Sequence, residues 1–213
     1  VNARSCTAKR PRNWRQVFFL GAYYFFLTGA ILALGYSTYV VVDARAYQAI
    51  EQSRFSSARP TPGVHAVADG DVIGELSIPR LGLKTIVAQG DSAKVLRRAV
   101  GHLRETPLPG EPGNVALAGH RDGFFRPLRN IRAGDAISLN TLDGEFVYRV
   151  ETTEVVLPSE VQVLQPSRVN TLTLVTCYPF YYVGSAPKRF IVRARQIGRL
   201  PAEMPPGGSP VHF

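Results

Sequence analysis

From Gln16 to Val42 the chain carries no charged side chain, and FFLGAYYFFLTGAILALGYSTYVVV (18–42) is apolar or aromatic almost throughout. About 20 helical residues cross the hydrocarbon core of a bilayer, so this run is long enough to span one. A secretory leader offers an alternative, because Ala44-Arg45-Ala46 has the small-x-small form of a cleavage site. The apolar core of a leader is only about 7–15 residues, which favours a retained anchor here. Trp14, Tyr36 and Tyr39 stand where interfacial aromatics belong.

Charge fixes the expected orientation. Five of the 25 basic residues (Arg4, Lys9, Arg10, Arg12 and Arg15) precede the run with no acid among them, leaving 20 basic against 16 acidic residues in the remainder. Positive flanks stay cytoplasmic, so the N-terminus is expected inside and everything after Asp43 outside. The net charge of +9 is thus largely a property of the tail. No face interleaving cations with aromatics follows, so no nucleic acid is expected as partner. Cys6 and Cys177 then lie on opposite sides of the membrane and cannot pair. Cys177 is an unpaired thiol in an oxidising compartment, and catalysis is a common reason to keep one.

The remaining chain reads as tail 1–16, anchor 17–42, stalk and linker 43–71, a folded domain 72–197 and a Pro/Gly-rich tail 198–213. Arg45–Phe55 has helix-compatible composition. From Val72 onward, VIGELSIP, LKTIVAQ, NVALAGH, AISLNT, EFVYRVETTEVV, TLTLVTC and RFIVRARQ are short β-type runs broken by turn residues. The pattern predicts an all-β closed or nearly closed barrel of about eight strands with short helices. Interruptions are expected at SAKVLRRAV (92–100), with Ser92 as N-cap, and near FFRPLRN (124–130). Asp143-Gly144 suits a hairpin tip.

Cys177 closes an apolar strand, and Tyr178-Pro179 follows it, so the thiol is expected at the barrel rim. Burial as a structural cysteine is the alternative. Of the exported histidines, His65 lies in the linker, His212 in the tail, and His102 in a loop where it can hydrogen-bond locally. His120 closes NVALAG as Cys177 closes its own run, and is the candidate proton partner. Arg189, Ile191, Arg193 and Arg195 alternate onto one face of KRFIVRAR, and Arg189 starts that strand. A guanidinium there favours thiolate and donates a fork of hydrogen bonds to a carbonyl, whereas Arg193 and Arg195 read as solvated strand arginines.

Taken together these residues resemble the sortase family. Thr173-Leu174-Val175-Thr176-Cys177 resembles its TLxTC signature, Ala118-Gly119-His120 its histidine motif, and Arg189-Phe190-Ile191-Val192 the strand bearing its arginine. GHRDGFFRPL (119–128) is most similar to class D members, with Gly123 where a Thr is expected. The linker has no Asp-Pro-aromatic lid motif of the pilus-polymerising subclass. The resemblance implies a sortase barrel whose Cys177, His120 and Arg189 catalyse transpeptidation of secreted proteins bearing an LPxTG-like signal onto an amine of peptidoglycan or its precursor. It also implies a substrate-positioning role for Thr176 and a groove lined by Ala118 and Val175. No metal or other cofactor is carried over. A peptide-binding module that kept the fold without the chemistry, or an L,D-transpeptidase, are the other classes; the latter would carry a Ser-His-Gly-Cys run where this chain has TLVTCYP.

Cys177→Ala is expected to abolish covalent capture of a thiol-reactive sorting-signal mimic, and Cys6→Ala to leave it intact. Mass spectrometry of the labelled chain reads both, and capture lost only in Cys6→Ala would reverse the compartment argument.

Overall fold

The computed structural model describes residues 14–57, 67–182 and 184–201. Cys6, His65, His212, Arg4, Lys9, Arg10 and Arg12 lie outside the described residues. The chain divides into two compact units, Val1–Asp43 and Ala44–Phe213.

Helix α1 runs from Trp14 to Ser57. In the first unit its side chains are almost all exposed, Phe25 and Leu32 each at 73%, and it is long and apolar enough to cross a membrane. The uncharged stretch measures about 40 Å at 1.5 Å per residue, longer than the roughly 30 Å hydrocarbon core. Its hydroxyls are satisfied internally: Thr28 Oγ1 donates to Tyr24 O (2.7 Å) and Thr38 Oγ1 to Leu34 O (2.8 Å). In a bilayer neither would present an unmet donor.

The second unit begins with the last turns of α1. Gln48 Oε1 accepts from Ile86 N (2.9 Å) while its Nε2 donates to Arg98 O (2.6 Å). Gln52 Nε2 donates to buried Glu75. Residues 44–57, expected as the start of a stalk, are thus helical and bonded to the domain that follows.

That domain is a closed barrel in the order β1-β2-β3-β4-β7-β8-β6-β5, with β5 pairing back onto β1. The strands are β1 Val72–Ile78, β2 Leu83–Gln89, β3 Val100–His102, β4 Asn114–Ala118, β5 Ala136–Thr141, β6 Gly144–Val156, β7 Thr171–Tyr178 and β8 Lys188–Leu200. Two neighbouring pairs, β2–β3 and β4–β7, are parallel, and the others are antiparallel. Period-two alternation fills the interior: Leu117, Leu139, Phe146, Leu172, Leu174 and Val192 are at most 1% exposed.

All seven β-type runs became strands. The eighth, β3, was hidden because three residues containing Gly101 follow α2 (Ala93–Arg98) almost directly. Ser92 does cap α2, its hydroxyl accepting from Val95 N. FFRPLRN forms a 3-10 turn at Arg126–Asn130. Gly144 turns the β5–β6 hairpin at φ +132, a conformation side chains resist. The tail expected from 198 overlaps β8 through Leu200.

Asp135, 7% exposed, ties the entry of β5 to two other segments. It accepts from the Arg80 guanidinium and from Arg132 N (2.8 Å). The hydrogen bond from Arg80 holds its carboxyl below the usual range. A carboxyl depressed on folding contributes stability above its unfolded pKa of about 3.9, and loses it as pH falls through the folded value. Asp135→Asn should therefore lower the melting temperature at neutral pH. The gap to wild type should narrow below about pH 4, read by thermal unfolding across pH.

Candidate active site

Strand β7 sits between β4 and β8, and all three candidate residues arise from this triplet. Along β7, Leu172 and Leu174 point into the core, so Thr173, Val175 and Cys177 point outward. In the antiparallel β7–β8 ladder, Cys177 is the direct partner of Arg189, and Val175 of Ile191. Directly opposed residues project to the same face, with Cβ atoms about 4.5–5.5 Å apart. The thiol is half-buried.

On the other side, β4 runs parallel to β7 with Ala118 opposite Val175. The contact continues past the strand end: Gly119 N donates to Val175 O (3.1 Å), and Thr176 Oγ1 donates to Gly119 O (2.7 Å). The β4–β7 ladder ends at Ala118–Val175, and His120 follows two residues beyond it. His120 is exposed. Its carbonyl accepts from Gly123 N and Phe125 N, each at 3.2 Å, so a tight turn fixes its backbone. Gly119 is required by packing: a Cβ there would lie 2.8 Å from the ring of Phe125, which is fully buried.

Of the other candidates, Ala118 and Val175 are half-buried partners on the outer face, and Thr176 is 2% exposed with its hydroxyl given to Gly119. Arg189 Nη1 donates to Ala186 O (3.2 Å) and Lys188 O (3.0 Å). Both bonds it makes among the described residues come from Nη1. Arg195 is exposed and paired with Glu151 (2.7 Å), as a strand arginine should be. Arg193 is not the solvated arginine expected: it is half-buried, and its Nη2 lies 3.4 Å from Val163 O. His102 is 1% exposed, with Nδ1 2.8 Å from Gln89 Oε1 and Nε2 2.9 Å from Pro107 O. Burial lowers its pKa, and it holds the β3–β4 loop.

Two features escaped the sequence reading. Asn114 is fully buried. It accepts from Thr171 Oγ1 (3.1 Å) and Thr173 Oγ1 (2.7 Å) and donates to Val163 O (3.1 Å), tying the Val161–Leu164 turn to the barrel. The alternating threonines of TLTLVTC were its signal. Arg121, directly after His120, donates to three carbonyls of the β7–β8 loop, those of Pro179, Tyr182 and Gly184.

The same arrangement of elements is found in known proteins. Residues 76–197 match the sortase domain family. The chain is 28% identical over 190 residues to Sortase D of Bacillus subtilis, spanning 81% of this chain and 96% of that one. It is 32% identical over 203 residues to Sortase SrtE1 of Streptomyces coelicolor, covering 83% of this chain and 56% of that relative. Among solved structures, a Clostridium perfringens Sortase D5 transpeptidase superposes with a TM-score of 0.57 at 34% identity, over 62% of this chain and 82% of that one. With more than half of its length matched by the family and its strands closed into that family's barrel, this chain belongs to the sortase family of transpeptidases.

Proposed function

We propose that the chain is a membrane-anchored sortase that cleaves an LPxTG-like sorting signal and joins the freed carbonyl to a cell-wall amine. The direct pairing of Cys177 with Arg189 is the observation that carries this reading, and His120, which follows the end of the other neighbouring strand, completes the proposed set. The five basic residues keep segment 1–16 cytoplasmic, 17–42 crosses the membrane, and the barrel stands outside on the residue 43–71 connection.

In the first half-reaction the Cys177 thiolate attacks the Thr carbonyl carbon of the signal. The oxyanion that forms is held by donors of Arg189 not engaged with Ala186 and Lys188. Collapse breaks the Thr–Gly bond as His120 gives a proton to the departing amine, leaving a thioacyl enzyme. In the second, an amine of peptidoglycan or its precursor attacks the thioester. His120 takes up the proton, and Cys177 leaves as thiolate. Ala118 and Val175 line the outer face on which the signal lies. Thr176 bonds the two strands that carry the thiol and the imidazole, and so positions the substrate indirectly.

A planar guanidinium can serve an oxyanion and a backbone carbonyl together, whereas a lysine ammonium is a point donor. Losing one oxyanion donor costs about 10²–10³ in turnover. Arg189→Lys should lose at least that much in cleavage of an LPxTG peptide, while alkylation of Cys177 by iodoacetamide, which develops no oxyanion, slows far less. Arg195→Lys, exposed and paired with Glu151, should stay within a few-fold of wild type. Wild-type turnover in Arg189→Lys would remove Arg189 from the mechanism.

A further inference from the structure

The β7–β8 ladder pairs the backbones of Cys177 and Arg189, and the loop that joins them offers the Ala186 carbonyl that holds the guanidinium. This loop is held from outside by two arginines, of which Arg121 makes the backbone contacts. Arg121 Nη1 donates to Pro179 O (3.1 Å), and its Nη2 donates to Tyr182 O (2.8 Å) and Gly184 O (2.9 Å). The same guanidinium lies 5.8 Å from the centre of the Tyr182 ring. Arg129 repeats the contact one residue earlier, donating to Tyr181 Oη (2.5 Å) with its guanidinium 5.5 Å from that ring. The far end of the loop in turn holds Arg189 through Ala186 O.

An exposed loop of this length would otherwise sample many conformations, and ordering it costs backbone entropy. Charge-assisted donation from one rigid fork to three carbonyls offsets part of that cost. Because Arg121 follows His120, the fork ties the turn that carries the imidazole to the loop that carries the guanidinium. The geometry points to Arg121 as a positioning residue, a latch that sets the β7–β8 loop so that Arg189 is presented beside Cys177. This role rests on the transpeptidase reading above. Arg121 touches no reacting atom and acts through Arg189.

The test is a double-mutant cycle on the full-length protein, following LPxTG-peptide cleavage and iodoacetamide alkylation of Cys177. Misplacing a reacting group by about 1 Å can cost about 10²-fold, so Arg121→Ala should lower kcat by that order with a smaller change in KM. Arg121→Lys keeps charge and stem but lacks the fork, and should lose more than about tenfold. Alkylation should be unchanged in both. In an Arg189→Lys background, Arg121→Ala should cost less than about threefold more, because the group it positions is already lost. Should Arg121→Ala fail to fold, Arg121→Lys carries the same cycle. Full multiplication of the two losses, or wild-type kcat in Arg121→Lys, would overturn the latch and leave the sortase reading standing. Failure of the wild-type chain to cleave the peptide overturns both.

Discussion

The hydrogen-bonded ladder β4–β7–β8 is the constraint on which the rest of the site depends. A single strand carries the thiol, and its two neighbours bring the imidazole and the guanidinium from opposite sides. Because one neighbour is parallel and the other antiparallel, His120 comes from a strand end while Arg189 comes from a strand start, and both arrive at the rim where Cys177 stands. A one-residue slip in either ladder would turn a partner inward, since side chains alternate between core and outer face. The buried rows of Leu117, Leu172, Leu174 and Val192 prevent that slip, so the hydrophobic core is also what keeps the proposed catalytic residues in register.

Around this ladder, polar groups with no direct part in the chemistry hold the surrounding segments. Asn114 secures the turn between β6 and β7 by accepting from two threonine hydroxyls and donating to backbone carbonyls. Thr176 joins the end of β4 to β7, and Gly119 admits the Phe125 ring beneath the histidine turn. Each is buried, so each hydrogen bond is made in a setting where leaving it unmade would cost about 1–3 kcal/mol.

Much of this was legible in the sequence, for identifiable reasons. Seven strands declared themselves because their apolar residues alternate and turn residues bound them. The expectation that Phe190, Val192 and Ala194 share one face and Arg189, Arg193 and Arg195 the other follows from strand geometry alone, and Val192 and Ala194 are indeed core while Phe190 packs against it. What stayed hidden depends on contacts distant in the chain. β3 is too short to show a period, and it exists because β2 and β4 bracket it. The half-buried state of Arg193 comes from the Val161–Leu164 turn folding over it, and no local pattern announces that. Arg121 stood in the quoted GHRDGFF segment without a role, since its partners lie about 60 positions later.

Closure of the barrel has a consequence for recognition. In an open sheet, an extended peptide can bind by lengthening the sheet, and its backbone then supplies most of the affinity whatever its sequence. Here β5 returns to β1, so no strand is an edge along its whole length, and only stretches such as Thr152–Val156 of β6, which pair with β8 alone, keep one side unpaired among the described residues. A peptide bound over the closed rows would meet side chains and loops rather than a strand edge. A surface of this kind can be selective for a few residues and indifferent to the rest, and its selectivity can be changed by exchanging rim loops while the barrel beneath keeps its register.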